Sequence, residues 1–235
     1  MNKTILLASV AALALCAGGA SAAGQHPVAH APMTHGAAKF KTADRTLSVL
    51  YDQNDDAQGF SDTSQNFESS LDAYDNQGAD DFTVPDGVTW KVSEVDVSGL
   101  YFKGSGPASG VASSENVTFY KGTKKGPKTQ IASVTATGDD DGLGNFVISL
   151  GKHNTVKLKP GHYWVSVQAN MDFFTAGQWG WATRNTQGGI APAMWQNPGG
   201  GFGLGCTTWS KEQDCLGDQG GVDHMFTLRG KVKER

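Results

Sequence analysis

Residues that could do chemistry concentrate in one stretch, from Gly161 to Trp209. It carries five of the six tryptophans (Trp164, Trp179, Trp181, Trp195 and Trp209), with Asn170, Asp172, Gln178, Arg184, Gln196 and Asn197 between them. Aromatic faces stack on the apolar faces of sugar rings, while amides, carboxylates and guanidinium groups bond the hydroxyls. Trp164, Trp179, Trp181, Arg184, Trp195, Gln196, Asn197 and Trp209 are therefore the candidate ligand-binding residues. An extracellular saccharide or another cell-surface component is the expected partner. A competing reading makes these tryptophans a satellite core beneath a long glycine-rich loop, since tryptophan is highly buried on average. Trp164 shares its parity with Ser166 and Gln168, so it either faces out or packs under that loop, and Trp179 and Trp181 share one face of a strand.

Acidic residues offer two further chemistries. Glu94-Val95-Asp96-Val97 resembles the opening of an E-x-D-x-x-E glycosidase strand. A retaining glycosidase needs a second carboxyl about 5–5.5 Å away, and Ser98 and Gly99 stand where it would fall. A glycan hydrolase is thus the alternative function rather than the leading one, and Glu94 and Asp96 are read as two solvent-facing acids beside a bulge. Calcium is a possible ligand, though no cofactor is required. Asp52-x-Asn54-x-Asp56 opens like an EF-hand, but Ala57 replaces the obligatory glycine and Thr63 the bidentate glutamate. The best calcium cluster joins Asp80 or Asp81 to the strand-end residues Asn170 and Asp172. His26, His30 and His35 could chelate a metal but read as incidental.

The first residues, MNKTILLASVAALALCAGGASAAG, show one lysine, an apolar run and an A-x-A pattern ending at Ala22. This reads as a secretory signal, residues 1–22, cleaved near Ala22, and so as a secreted extracellular or periplasmic protein. A lipid-modified Cys16 is disfavoured by Leu15, where a small residue belongs. Loss of Cys16 leaves Cys206 and Cys215 as one disulfide, expected to stabilise the fold by roughly 2.5–3 kcal/mol. With 19 basic against 23 acidic residues, a net charge of −4, the chain lacks the footprint of a nucleic-acid binder. No later apolar run approaches membrane-helix length, so no transmembrane segment is expected.

Strands must position these residues. Residues 23–45 read as a flexible leader and 46–235 as one β-sandwich domain. Leu47, Val49 and Tyr51 alternate with polar residues, and a polar loop anchored by Phe60, Phe67, Leu71 and Tyr74 follows. The strand expected from Trp90 to Phe102 changes parity between Val92 and Val95, which predicts a β-bulge near Ser93–Glu94 or burial on both faces. Short strands follow at Asn116–Tyr120, Gln130–Ala136, Asn145–Leu150 and Thr155–Leu158, then Tyr163 to Asn170, and a last one around Phe226 and Leu228. The first and last strands are expected to lie near each other. The pattern predicts an all-β fold, a two-sheet antiparallel β-sandwich of jelly-roll type with long loops.

The segments Ala79-Asp80-Asp81-Phe82-Thr83-Val84-Pro85, Val95-Asp96-Val97, YWVSVQANMDF, GQWGW, WQNPGGGFG and GCTTW together resemble a group of secreted bacterial β-sandwich proteins. The likeness spans roughly Leu47 to Gly230 and implies fold and export, with no catalytic residue to carry over. The expected function is a secreted, non-catalytic binding or surface-interaction module, possible alternatives being a structural or adhesive protein or the hydrolase.

Overall fold

The computed structural model describes residues 26–40, 46–104 and 106–234. The signal reading falls on residues outside that set. The described chain begins with β1 (His30–Pro32), β2 (Ser48–Asp52), β3 (Ala57–Thr63) and β4 (Gln65–Asn66). A 3-10 turn over Ser69–Tyr74 leads to β5 (Gln77–Val84), β6 (Val88–Val97), β7 (Gly99–Lys103) and β8 (Gly106–Pro107). The hairpin of β9 (Ser114–Thr123) and β10 (Gly126–Ala136) precedes the short β11 (Asp139–Asp140), β12 (Phe146–Ser149) and β13 (Val156–Leu158). Then come β14 (Gly161–Asn170), β15 (Gln178–Arg184), β16 (Met194–Gln196) and β17 (Ser210–Lys211). The helix α1 (Glu212–Leu216), β18 (Asp223–His224) and β19 (Phe226–Glu234) complete it.

The architecture is an all-β sandwich. One sheet has the order β11-β12-β6-β19-β2 with β13 beside β6, and another runs β10-β9-β14-β5-β16-β17 with β4 beside β14. Alternating side chains of both, among them Phe82, Val95, Phe119, Phe146, Val165 and Phe226, are buried in one core. A third sheet, β1-β3-β15-β7-β8 with β18 on β15, shares that core through Tyr101, Trp179 and Trp181. The first and last long strands are neighbours, β2 pairing with β19.

The parity change in β6 is a bulge. Arg229 lies opposite Glu94 and Gly230 opposite Val92, which leaves Ser93 unmatched. Trp90 and Val92 thereby reach the same core as Val95 and Val97. Gly230 is required at this crossing, because a Cβ there would overlap the Lys91 carbonyl oxygen. Gly230→Ala is expected to cost about 1–3 kcal/mol, read as a lowered denaturant midpoint.

Three expectations need correction. The strand does not run on to Phe102: it breaks at Ser98, and β7 joins the third sheet. The polar loop after Tyr51 contains β3, whose inner residues Ser61, Asp62 and Thr63 are fully buried. An apolar alternation could not reveal a strand that buries polar groups. Within the stretch read as a flexible leader, β1 pairs with β3, and Ala38 donates its N–H to the Ser98 hydroxyl while its carbonyl accepts from Asn54.

Candidate functional site

Tryptophan placement follows from the two strands that open the aromatic stretch. In β14, Tyr163, Val165 and Val167 point into the main core, so Trp164 points the other way. It is nevertheless fully buried, because the later loop folds back and sets Ala191 and Met194 against it. In β15, Trp179 and Trp181 face the main core, and Trp195 of β16 packs with Cys215 and Leu216. Four of the five candidate tryptophans thus have no exposed surface. Three of them donate their indole N–H to buried carbonyls: Trp179 to Gly144 at 2.8 Å, Trp181 to Met225 at 2.8 Å and Trp195 to Thr63 at 2.9 Å. Their partners are backbone groups, as core indoles require. Trp209 is part-exposed and lies edge-on to Tyr120.

The polar members of the stretch are likewise occupied in holding the chain. Arg184 donates to the Asp55 carbonyl and carboxylate and to the Thr186 carbonyl. Asn197 donates to the carbonyls of Ala73 and Asp75 and accepts the Phe202 N–H, which closes the glycine-rich turn. Gln196 donates to the Gln77 amide oxygen. The candidate ligand-binding set is therefore not gathered on one open face. The Cys206–Cys215 disulfide is present and ties the far end of this loop to α1. With nine residues of separation, its loss by Cys206→Ala plus Cys215→Ala is expected to remove about 2.7 kcal/mol, checked by urea unfolding.

The expected calcium cluster does not assemble. Asp81 pairs with Trp164, while Asn170 lies six residues further along β14, roughly 20 Å away in an extended strand. Asn170 instead joins an amide ladder with Asn66, Asn116 and Ser114, and Asp172 is exposed at a turn. The leader histidines are also dispersed: His26 stacks on Tyr74, His30 lies in β1, and His35 contacts the Gly99 carbonyl.

Asp80 and Asp81 belong to another constellation, which sequence patterning did not find. Asp62 of β3, Asp80 and Asp81 of β5, Glu212 of α1, and Asp223 and His224 of β18 all have zero exposure. Asp80 accepts from Gln53 at 2.7 Å and from the N–H groups of His224 and Asp81. Asp81 meets His162 at 2.5 Å and accepts the Ile190 N–H, while Asp223 accepts the Gly188 N–H. These contacts fasten the loop after β15 to β5 and β18. Burial, with Glu212 alongside, pushes the Asp62 carboxyl well above its ordinary range. Burial and then Asp223 do the same for Asp80 and Glu212. Asp223 is pushed up to about 6, chiefly by burial, and burial takes His224 down to about 4. His224 Nε2 stands 3.3 Å from Glu212, and its ring stacks on Trp181 at 4.4 Å. One signal was present in the sequence: His224 shares its parity with Phe226 and Leu228, both core residues.

An open concavity lies elsewhere, on the outer face of the β6 sheet beside the bulge. A cleft of about 560 Å³ is lined by Lys91, Ser93, Glu94, Ser149, Lys152 and Lys231, among others. Glu94 and Asp96 are not solvent-facing as expected. Both are buried, with Arg229 Nε 2.6 Å from Asp96 and 3.7 Å from Glu94. Burial raises Asp96 to about 6, against the pull of that guanidinium. Among the described residues, no helix is long and apolar enough to cross a membrane. Comparison with protein-family models, with curated protein sequences and with solved structures returned no match.

Proposed function

We propose that this chain is a secreted, non-catalytic binding module that engages an extracellular or cell-surface ligand through the outer face of its β6 sheet. The observation that carries the reading is the cleft beside the bulge, whose volume of about 560 Å³ is that of a small-ligand or oligomer site. The aromatic stretch supports it indirectly. By supplying the core, it leaves binding to the sheet surface rather than to a tryptophan platform. Export is supported by the signal-like first residues and by the disulfide. The acids that could have served a hydrolase, Glu94 and Asp96, are buried beside the single Arg229 guanidinium.

The test is retention of the purified protein on immobilised extracellular polysaccharides, with the release of new reducing ends followed over time. Retention without release is the expected result. Steady release of reducing ends would replace this reading with the hydrolase, and failure to bind any matrix would leave it without support.

A further inference from the structure

Three lysines stand side by side on the outer face of the β6 sheet. Lys157 of β13 lies directly opposite Lys91 of β6, and Lys91 directly opposite Lys231 of β19. Neighbouring strands are about 4.8 Å apart, so the row spans roughly 10 Å. All three side chains are exposed, and none forms an ion pair among the described residues. Like charges directly opposite one another destabilise a sheet. A row of this kind weakens the fold unless something anionic lies across it, and it stands out in a chain whose net charge is −4.

The cleft beside the bulge begins at this row. Lys91 and Lys231 line it, Lys152 adds a further ammonium group, and Ser93, Ser149 and Thr155 contribute hydroxyls. Lys157 lines an adjoining cleft that shares Thr155. The surface is thus a cationic line bordered by hydrogen-bonding groups.

We propose that the Lys157–Lys91–Lys231 row and its cleft bind an extended polysaccharide carrying a carboxylate on successive rings, a polyuronate. The inference rests on the binding-module reading above and names its ligand class. The row of ammonium groups meets the carboxylates that an extended uronate chain turns toward the sheet. The serine and threonine hydroxyls then meet the ring hydroxyls between them. The hydroxyls of Ser93, Ser149 and Thr155 decide against a phosphate polymer: they both donate and accept, which suits the ring hydroxyls of a saccharide, whereas a polyphosphate offers acceptors alone. Nucleic acid is disfavoured further by the chain's net charge of −4.

The experiment is calorimetric titration of the whole protein with polygalacturonate oligomers, neutral galactan oligomers of equal length, and inorganic polyphosphate. Polyuronate binding is expected to be the strongest of the three and to weaken as salt is raised. Lys91→Ser with Lys157→Ser and Lys231→Ser is expected to weaken it roughly tenfold or more. The same variant should keep or raise its melting temperature, since relief of like-charge contacts separates lost binding from lost fold. Polyphosphate binding as tight as polyuronate, or polyuronate binding unchanged in the triple variant, would overturn the proposal. Equal binding of neutral and carboxylated oligomers would overturn it too, while leaving the binding-module reading in place. Absence of binding to all three, together with failure on the immobilised matrices, would remove both.

Discussion

Trp181→Ala is expected to lower stability by about 3–5 kcal/mol, the range for deleting a buried tryptophan. Trp181 has no exposed surface and packs against Trp179 and Phe226. Its indole N–H donates to the Met225 carbonyl, and its face covers His224 at 4.4 Å. Truncation opens a cavity in the shared core, leaves the Met225 carbonyl with only the longer 3.4 Å bond from the Ser98 N–H, and uncovers a histidine next to Glu212. Trp209→Ala, on the part-exposed tryptophan, is the control and is expected to cost about 1 kcal/mol. Urea unfolding of the two variants should therefore differ severalfold in its loss. Equal losses would mean that the stretch is not organised as a core.

Stability is expected to fall as pH rises from about 5 to 8. The sign follows from the buried acids. Asp62, Asp80, Glu212 and Asp223 have folded-state pKa values raised above those of the unfolded chain, chiefly by burial. Each holds its proton in the folded state over a range where the unfolded chain has lost it. Folding therefore takes up protons above the ordinary carboxylate value of about 4, and stability drains away as pH rises toward the folded values. His224 acts in the opposite sense. Lowered to about 4, it contributes stability that is present above its unfolded value and lost as pH falls through 4. Several acids outweigh one histidine, so the net slope is negative, each net proton being worth about 1.4 kcal/mol per pH unit. Glu212→Gln, which fixes one site in an uncharged form, should flatten the slope and raise the melting temperature near pH 8. A melting temperature that climbs from pH 5 to pH 8 would contradict this account of the acid cluster.

The strand framework was legible in the sequence because most strands bury one apolar face. β12 shows this plainly: Phe146 and Ile148 alternate with Val147 and Ser149 and are buried as that alternation requires. The parity change between Val92 and Val95 was legible too, and of the two readings it allowed, a bulge or burial on both faces, the register shows the bulge at Ser93. What patterning missed were elements held by polar groups. β3 buries Ser61, Asp62 and Thr63, and the acids around Asp80 come from strands and a helix distant in the chain. Burial of a carboxyl depends on what lies across from it, which a single sequence does not print. The aromatic stretch was misleading for a related reason. A loop that returns over the outer side of β14 converts an apparent exposed face, that of Trp164, into core. The lysine row is a matter of register: Lys91, Lys157 and Lys231 are scattered in the chain and meet only once β13, β6 and β19 are paired.

Iodide quenching of tryptophan fluorescence tests most directly whether Gly161–Trp209 is core rather than ligand platform. With Trp164, Trp179, Trp181 and Trp195 fully buried and Trp90 nearly so, quenching in the native protein should come from Trp209. Trp209→Phe should then leave an emission that iodide barely reduces until the protein is unfolded. Strong quenching in folded Trp209→Phe would place several of the other tryptophans at the surface and contradict the account.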